Sequence, residues 1–228
     1  ETVGLEGHLV CEPKQRNFRM DAKALGSTLE DLGDHREEFW FWIKRAPEPY
    51  LYHCRHEDFA SGRARMPFPF QPDWIVEALG IADYDPTRHY VVEAGGENID
   101  LVENAVSPQG APVRKVTRFT RRQNHVQVSA HLLEDANRQI ICSAYIRELQ
   151  QDRTTGAVLP RQVLLSWPAQ QIRMKMTLEG LGVNQQMAPQ RVALLFSRPN
   201  MGGVQSFDLA RGPDVSTGGL RQTNGYDR

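Results

Sequence analysis

The chain has 228 residues, 40% of them hydrophobic and 24% charged, enough for one large domain with a proper core. Its formal net charge of −1, from 27 Lys and Arg against 28 Asp and Glu, excludes a protein drawn to nucleic acid by bulk charge. No run of about 18 apolar residues would span a bilayer, and three separated cysteines cannot build a disulfide framework.

The near-neutrality hides a split. Residues 1–113 hold 11 Lys and Arg against 20 Asp and Glu, residues 114–198 hold 13 against 5, and the last thirty hold 3 of each. Two readings stand: a basic face for an anionic partner, or two halves that attract each other in the folded state.

The chain starts at Glu1, and its first periodic segment, Leu5 to Cys11, already reads as a strand. The expectation is that the chain is processed or trimmed and that something upstream, such as a signal segment, has been removed. Phe18, Met20, Ala22 and Ala24 then alternate with Arg19, Asp21 and Lys23, which puts one set on one face of a sheet. The polar stretch Ser27 to Glu38 reads as an exposed hairpin. Glu38 to Lys44 is aromatic on both faces through Phe39, Trp40, Phe41 and Trp42. Either both faces are covered, or one lines a pocket.

One helix is expected after Pro72-Asp73, with Trp74 and Ala78, and Ile75 and Leu79, four apart on one face, and Gly80 placed to stop it. Beyond it the alternation returns. Ile140, Cys142, Ala144 and Ile146 share a face, as do Val163, Leu165 and Trp167, and as do Ile172, Met174, Met176 and Leu178. Turn-forming segments at 46–49, 95–96, 107–110, 135–137 and 154–156 break these runs at short spacing, the punctuation of an antiparallel meander. From Asn200 periodicity stops, and residues 200–228 are expected to be a flexible tail behind a domain of residues 1–199. The predicted fold is mainly β: a large curled antiparallel sheet of about ten strands, an unclosed half-barrel covered by one or a few helices. A curled sheet with apolar residues inside must fill its interior or leave room for a ligand.

No catalytic motif emerges: neither a G-x-S-x-G elbow, a phosphate loop, a dinucleotide fingerprint nor H-E-x-x-H is present. The sharpest metal candidate is His53-Cys54-Arg55-His56, but adjacent strand residues point to opposite faces and no second cluster exists, so neither metal nor cofactor is expected. Paired carboxylates at Glu30-Asp31 and Glu37-Glu38 lack the cross-cleft placement a hydrolase needs. The basic strip Arg114, Lys115, Arg118, Arg121 and Arg122 is either a solvated sheet face or a contact for lipid phosphates or an acidic protein, with Arg118, Arg121 and Arg122 the candidates for an anionic partner. Nucleic acid does not fit, because no stacking aromatics interleave with the arginines at regular spacing.

Several stretches resemble the LolA/LolB type of periplasmic lipoprotein-sorting protein. They are Gly7-His8-Leu9-Val10 with Arg16-Asn17-Phe18-Arg19-Met20, Asp31-Leu32-Gly33-Asp34 leading to the aromatic strand, and Tyr50-Leu51-Tyr52-His53-Cys54. Toward the C-terminus they are Leu159-Pro160-Arg161, Ser166-Trp167-Pro168, Val183-Asn184 and Phe196-Ser197-Arg198-Pro199. The resemblance covers about residues 5–200 and implies a half-barrel with an apolar concave side that holds lipid or lipoprotein acyl chains, without catalysis. It implies a periplasmic or outer-membrane location in a two-membrane bacterium, with peripheral membrane contact through an upstream lipid anchor. The cavity candidates are Phe39, Phe41, Ile43, Trp74, Ile75, Leu79, Ile140, Ala144, Met174 and Met176, with the residues from the helix forming the apolar side of a lid. The alternative on the same fold is an interaction or sensor module that meets another envelope protein and carries no lipid.

Overall fold

The computed structural model describes residues 4–24, 26–64, 66, 72–79, 81, 87–107, 110–122 and 125–213. Among them the chain is mainly β, arranged as two unclosed seven-stranded sheets. The first sheet runs in the order β1 (Glu6–Glu12), β2 (Asn17–Ala24), β3 (Ser27–Asp34), β4 (Glu38–Ile43), β5 (Leu51–Arg55), β13 (Ser206–Asp208) and β14 (Gly212–Pro213). The second runs β12 (Ile172–Thr177), β11 (Val158–Trp167), β10 (Ile140–Gln151), β9 (His125–Asp135), β8 (Pro112–Arg122), β7 (Asn98–Val106) and β6 (Tyr90–Gly95). All pairings are antiparallel except β13 with β5. Three short helices join them: α1 (His56–Ala60), α2 (Pro72–Ala78) and α3 (Pro189–Leu195). α2 lies where the sequence places a helix; Gly80 lies outside the described residues.

The main core forms between the sheets because each offers one apolar face to the other. Phe18, Met20, Leu32, Phe39, Phe41 and Cys54 come from the first sheet, and Val113, Leu133, Cys142, Ala144, Val163, Leu165 and Trp167 from the second. Trp74, Ile75, Ala78 and Leu79 of α2 join the same cluster. The apolar stripe of the helix is thus spent against the concave interior.

The aromatic strand β4 is covered on both sides. Phe39 and Phe41 face the main core, while Trp40 and Trp42 form a separate cluster with Leu51 on the outer face. Trp40 lies flat over Gly33 of β3, directly opposite in register, where any Cβ would fall inside the indole ring. The cover of this outer face comes from the C-terminal segment. Arg19 donates from Nη1 to the Leu195 carbonyl at 3.0 Å, Arg198 Nε lies 3.3 Å from Glu38 Oε1, and Met201 and Val204 pack on the two tryptophans. The segment then enters the sheet: Leu51 N–H donates to the Gln205 carbonyl at 3.0 Å, and Leu209 N–H to the His53 carbonyl at 2.9 Å. Residues 206–213 are therefore not the tail expected from Asn200 onward. A three-residue strand held by a parallel neighbour leaves too short a pattern to read. Residues 214–228 lie outside the described part.

The stretch Ser27–Glu38 also differs from its reading as an exposed hairpin, because Asp31, Leu32, Gly33 and Asp34 are all buried. Burial of these carboxylates is tolerable because each is paired. Asp31 accepts from Arg19 Nη2 at 2.6 Å and from Trp40 Nε1 at 3.0 Å, and Asp34 lies 2.7 Å from His56 Nε2.

The charge split resolves largely as attraction between the halves. Arg114 bonds Glu93 (2.9 Å), Lys115 bonds Glu77 of α2 (3.0 Å) and Arg118 bonds Asp100 (2.7 Å). Each pair joins a base from the basic half to an acid from the acidic half.

Candidate functional site

Register builds one continuous row across all seven strands of the second sheet: Val92, Leu101, Thr117, His131, Ala144, Leu165 and Met174. Ala144 and Leu165 belong to the main core, so the whole row lies on the concave face. In its middle, over β9–β11, this face is buried under α2 and the first sheet, while β12 at the edge carries no buried residue and Ile172 stands 47% exposed. On β6 and at the ends of β7–β9 away from α2 it is open. Val92 is 64% exposed, Val126 54% and Ile99 36%, and Leu101, Phe119 and Val128 beside them are half-buried. Ile99, Phe119 and Val128 form the next row along, and Val126 pairs with Arg121 one step further.

The candidates separate along this face. Phe39, Phe41, Trp74, Ile75, Leu79 and Ala144 are brought together in the main core, with Met174 and Met176 half-buried against it. Ile43 sits half-buried at the end of β4 opposite Glu30, whose carboxyl is pushed up by burial. Ile140 does not join them: it is 38% exposed. A bulge between Ile140 and Cys142 shifts the pairing with β9 by one residue, so Ile141 packs on the core in its place.

The arginine candidates also divide. Arg118 lies on the convex face, where its Nε and Nη2 hold Asp100 at 2.8 and 2.7 Å, and that bond raises its already high pKa. Its stem and that of Arg114 flank a small convex-face core of Val102, Val116, Ala130 and Leu132, so the strip there is a roof over apolar residues. Arg121 alternates onto the concave face and is exposed at the rim beside Val126. The Arg122 side chain lies outside the described part.

Sequence reasoning placed Trp167 on a strand face without a role and did not single out His131. His131 is buried, with Nδ1 3.4 Å from Thr117 Oγ1 and Nε2 without a partner. Burial pushes its pKa down to about 4, so it is neutral at pH 7. The indole Nε1 atoms of Trp74 and Trp167 are likewise buried without partners. Unpaired buried donors cannot be read from a strand pattern, because it carries no information about who answers them.

The His53–His56 run scatters, as alternation requires. His53 lies beside Trp40 on the outer face, Cys54 faces the core, and His56 goes to Asp34. Burial pushes the thiols of Cys54 and Cys142 up to about 12, so both stay protonated and unreactive.

No family model matches the sequence. No curated protein matches it either. Solved structures do resemble it. A domain described as an outer membrane lipoprotein-sorting protein from Vibrio parahaemolyticus superposes with a TM-score of 0.50 at 9% identity, covering 82% of this chain and 80% of that one. A DUF1329 family protein from Desulfovibrio piger ATCC 29098 gives 0.47 at 8% identity over 83% and 81% of the two chains. A LolA superfamily protein from Nitrosomonas europaea gives 0.38 at 10% identity over 81% and 77%. At such identities the likeness speaks for architecture alone. The unclosed, antiparallel-dominated sheets share the overall architecture of the Vibrio parahaemolyticus domain.

Proposed function

We propose that the protein is a non-enzymatic envelope protein that holds lipid or lipoprotein acyl chains against the concave face of its half-barrel. The observation that carries this reading is the open end of that face, where Val92, Ile99 and Val126 stand exposed on one side of β6–β9. Exposed apolar residues scattered singly mean little, but a contiguous set on the inside of a curled sheet is a binding surface. Each methylene buried there stabilises the complex by about 0.8 kcal/mol, so a chain of ordinary length needs few polar contacts. The half-buried Met174 and Met176 at the other end of the face can adjust to chains of different shape. Arg121 at the rim is placed to meet an anionic headgroup. The Vibrio parahaemolyticus domain, described as lipoprotein-sorting and sharing this architecture, supports the same reading and a periplasmic or outer-membrane setting.

Native mass spectrometry of protein purified from membranes tests the proposal. The expected result is a co-purifying lipid that is lost in the double variant Ile99→Asp, Val126→Asp. A lipid-free protein that also fails to bind the neutral apolar fluorophore N-phenyl-1-naphthylamine would overturn it.

A further inference from the structure

Two indole N–H groups in the core have nothing to bond. Trp74 of α2 and Trp167 at the end of β11 pack edge to face, with ring centroids 5.8 Å apart and planes at 68°. Both Nε1 atoms are buried and lack a hydrogen-bond partner, as does Nε2 of His131 on the same concave face. An indole N–H can only donate. Roughly nine in ten buried polar groups are satisfied, and an unmade donor in apolar surroundings is costly. Two such donors on adjacent, touching rings indicate an acceptor that comes from outside the chain.

The surroundings narrow what that acceptor is. The rings sit in a cluster of Phe, Leu, Ile and Val side chains. A carboxylate or phosphate there would need a cation, and Lys115, the base that the second sheet turns toward α2, is already bonded to Glu77 at 3.0 Å. An uncharged acceptor meets no such demand.

Resting on the lipid-binding reading above, we infer that Trp74 and Trp167 donate from Nε1 to the ester carbonyl oxygens of an acyl lipid whose chains lie along the concave face. The site is thus selective for acyl esters over plain hydrocarbon. Both atoms are covered by the packing of α2 on the sheet, so the ester enters as α2 moves aside. His131 lies one row away on β9, on the same concave face.

The test compares methyl palmitate with hexadecane as displacers of bound N-phenyl-1-naphthylamine, in the wild type and in Trp74→Phe, Trp167→Phe and the double variant. Phenylalanine keeps an aromatic ring and removes the donor. The expected result is tighter binding of the ester in the wild type, by about three- to tenfold for each N–H. Each single variant loses part of that preference, and the double variant loses all of it while binding hexadecane as before. Without ligand, the Phe variants melt at or above the wild-type temperature, because an unanswered donor has been removed. Equal affinity for ester and hydrocarbon in the wild type overturns the inference, with no variant needed. So does a Phe variant that melts lower yet keeps the preference, which would assign the donors to internal water. Failure to bind either probe overturns the lipid-binding reading itself, and the ester assignment with it. Competition between phosphatidylethanolamine and a diacylglyceryl lipopeptide of equal chain length then separates the two carriers of such esters, and preference for either over hexadecane supports the assignment.

Discussion

The two sheets treat their second faces differently. The first is sealed on both sides at β4: phenylalanines pack inward, tryptophans pack outward, and the C-terminal segment is laid over the tryptophans and then hydrogen-bonded to β5. The second shares the main core in its middle, is roofed by paired arginines on its convex face, and leaves apolar residues bare at the β6–β9 end of its concave face. A protein that needed only stability would have closed both. On the function proposed above, the first sheet holds the fold and the second meets the ligand. Substitutions in the first should cost stability, and those at the open end should cost binding alone.

The sharpest break of that division is Trp40→Ala. It removes a buried ring stacked on Gly33 and a donor to Asp31, and should lower unfolding free energy by about 3–5 kcal/mol in urea titration. A loss under 1 kcal/mol would remove the special status of the first sheet.

Next comes His131, where the second sheet has a stability role of its own. Its pKa is about 4 in the folded chain against 6.5 when unexposed to the fold, so the unfolded state takes up the proton first. Stability is full above pH 6.5 and falls as pH drops, by up to roughly 3 kcal/mol once pH passes below 4. Thermal melts across pH 7 to 4 should show this slope in the wild type and a shallower one in His131→Leu. Parallel slopes would mean the ring is hydrated.

Arg118→Ala should cost less. The pair with Asp100 is partly exposed and screened, so about 0.5–1 kcal/mol is expected from chemical denaturation, shrinking in high salt. The smallest effect on stability belongs to Val126→Ser at the open end, within about 0.5 kcal/mol. Its measurable consequence should be weaker displacement of the apolar fluorophore by lipid, and a large stability loss there would show that the valine is structural.

Most strands were legible because period two survives wherever one face is buried, as in Phe18 to Ala24 and in Ile172 to Leu178. α2 was legible from four-residue spacing. What escaped depended on partners distant in sequence. Asp31 and Asp34 look like loop residues until Arg19, Trp40 and His56 arrive. Ile140 shares a parity with Ala144 that one bulge cancels. Phe39 and Phe41, candidates for a cavity, pack with Trp74 and Ala144 in the core, and the open apolar surface lies on Val92, Ile99 and Val126. Alternation shows that a strand has two faces and is silent on which stretch of a face stays uncovered.

The parallel pairing of β13 with β5 has a consequence for how the chain is made. Arg211 reaches Asp58 across 153 residues of sequence, and Arg19 reaches the Leu195 carbonyl across 176. During synthesis β1–β5 emerge first, yet their last neighbour and the cover over Trp40 and Trp42 follow about 150 residues later. Until then β5 is a bare edge beside two exposed indoles, the combination that recruits other chains. Such late closure makes folding slow for the size of the protein and favours a chaperone that shields the nascent N-terminal half.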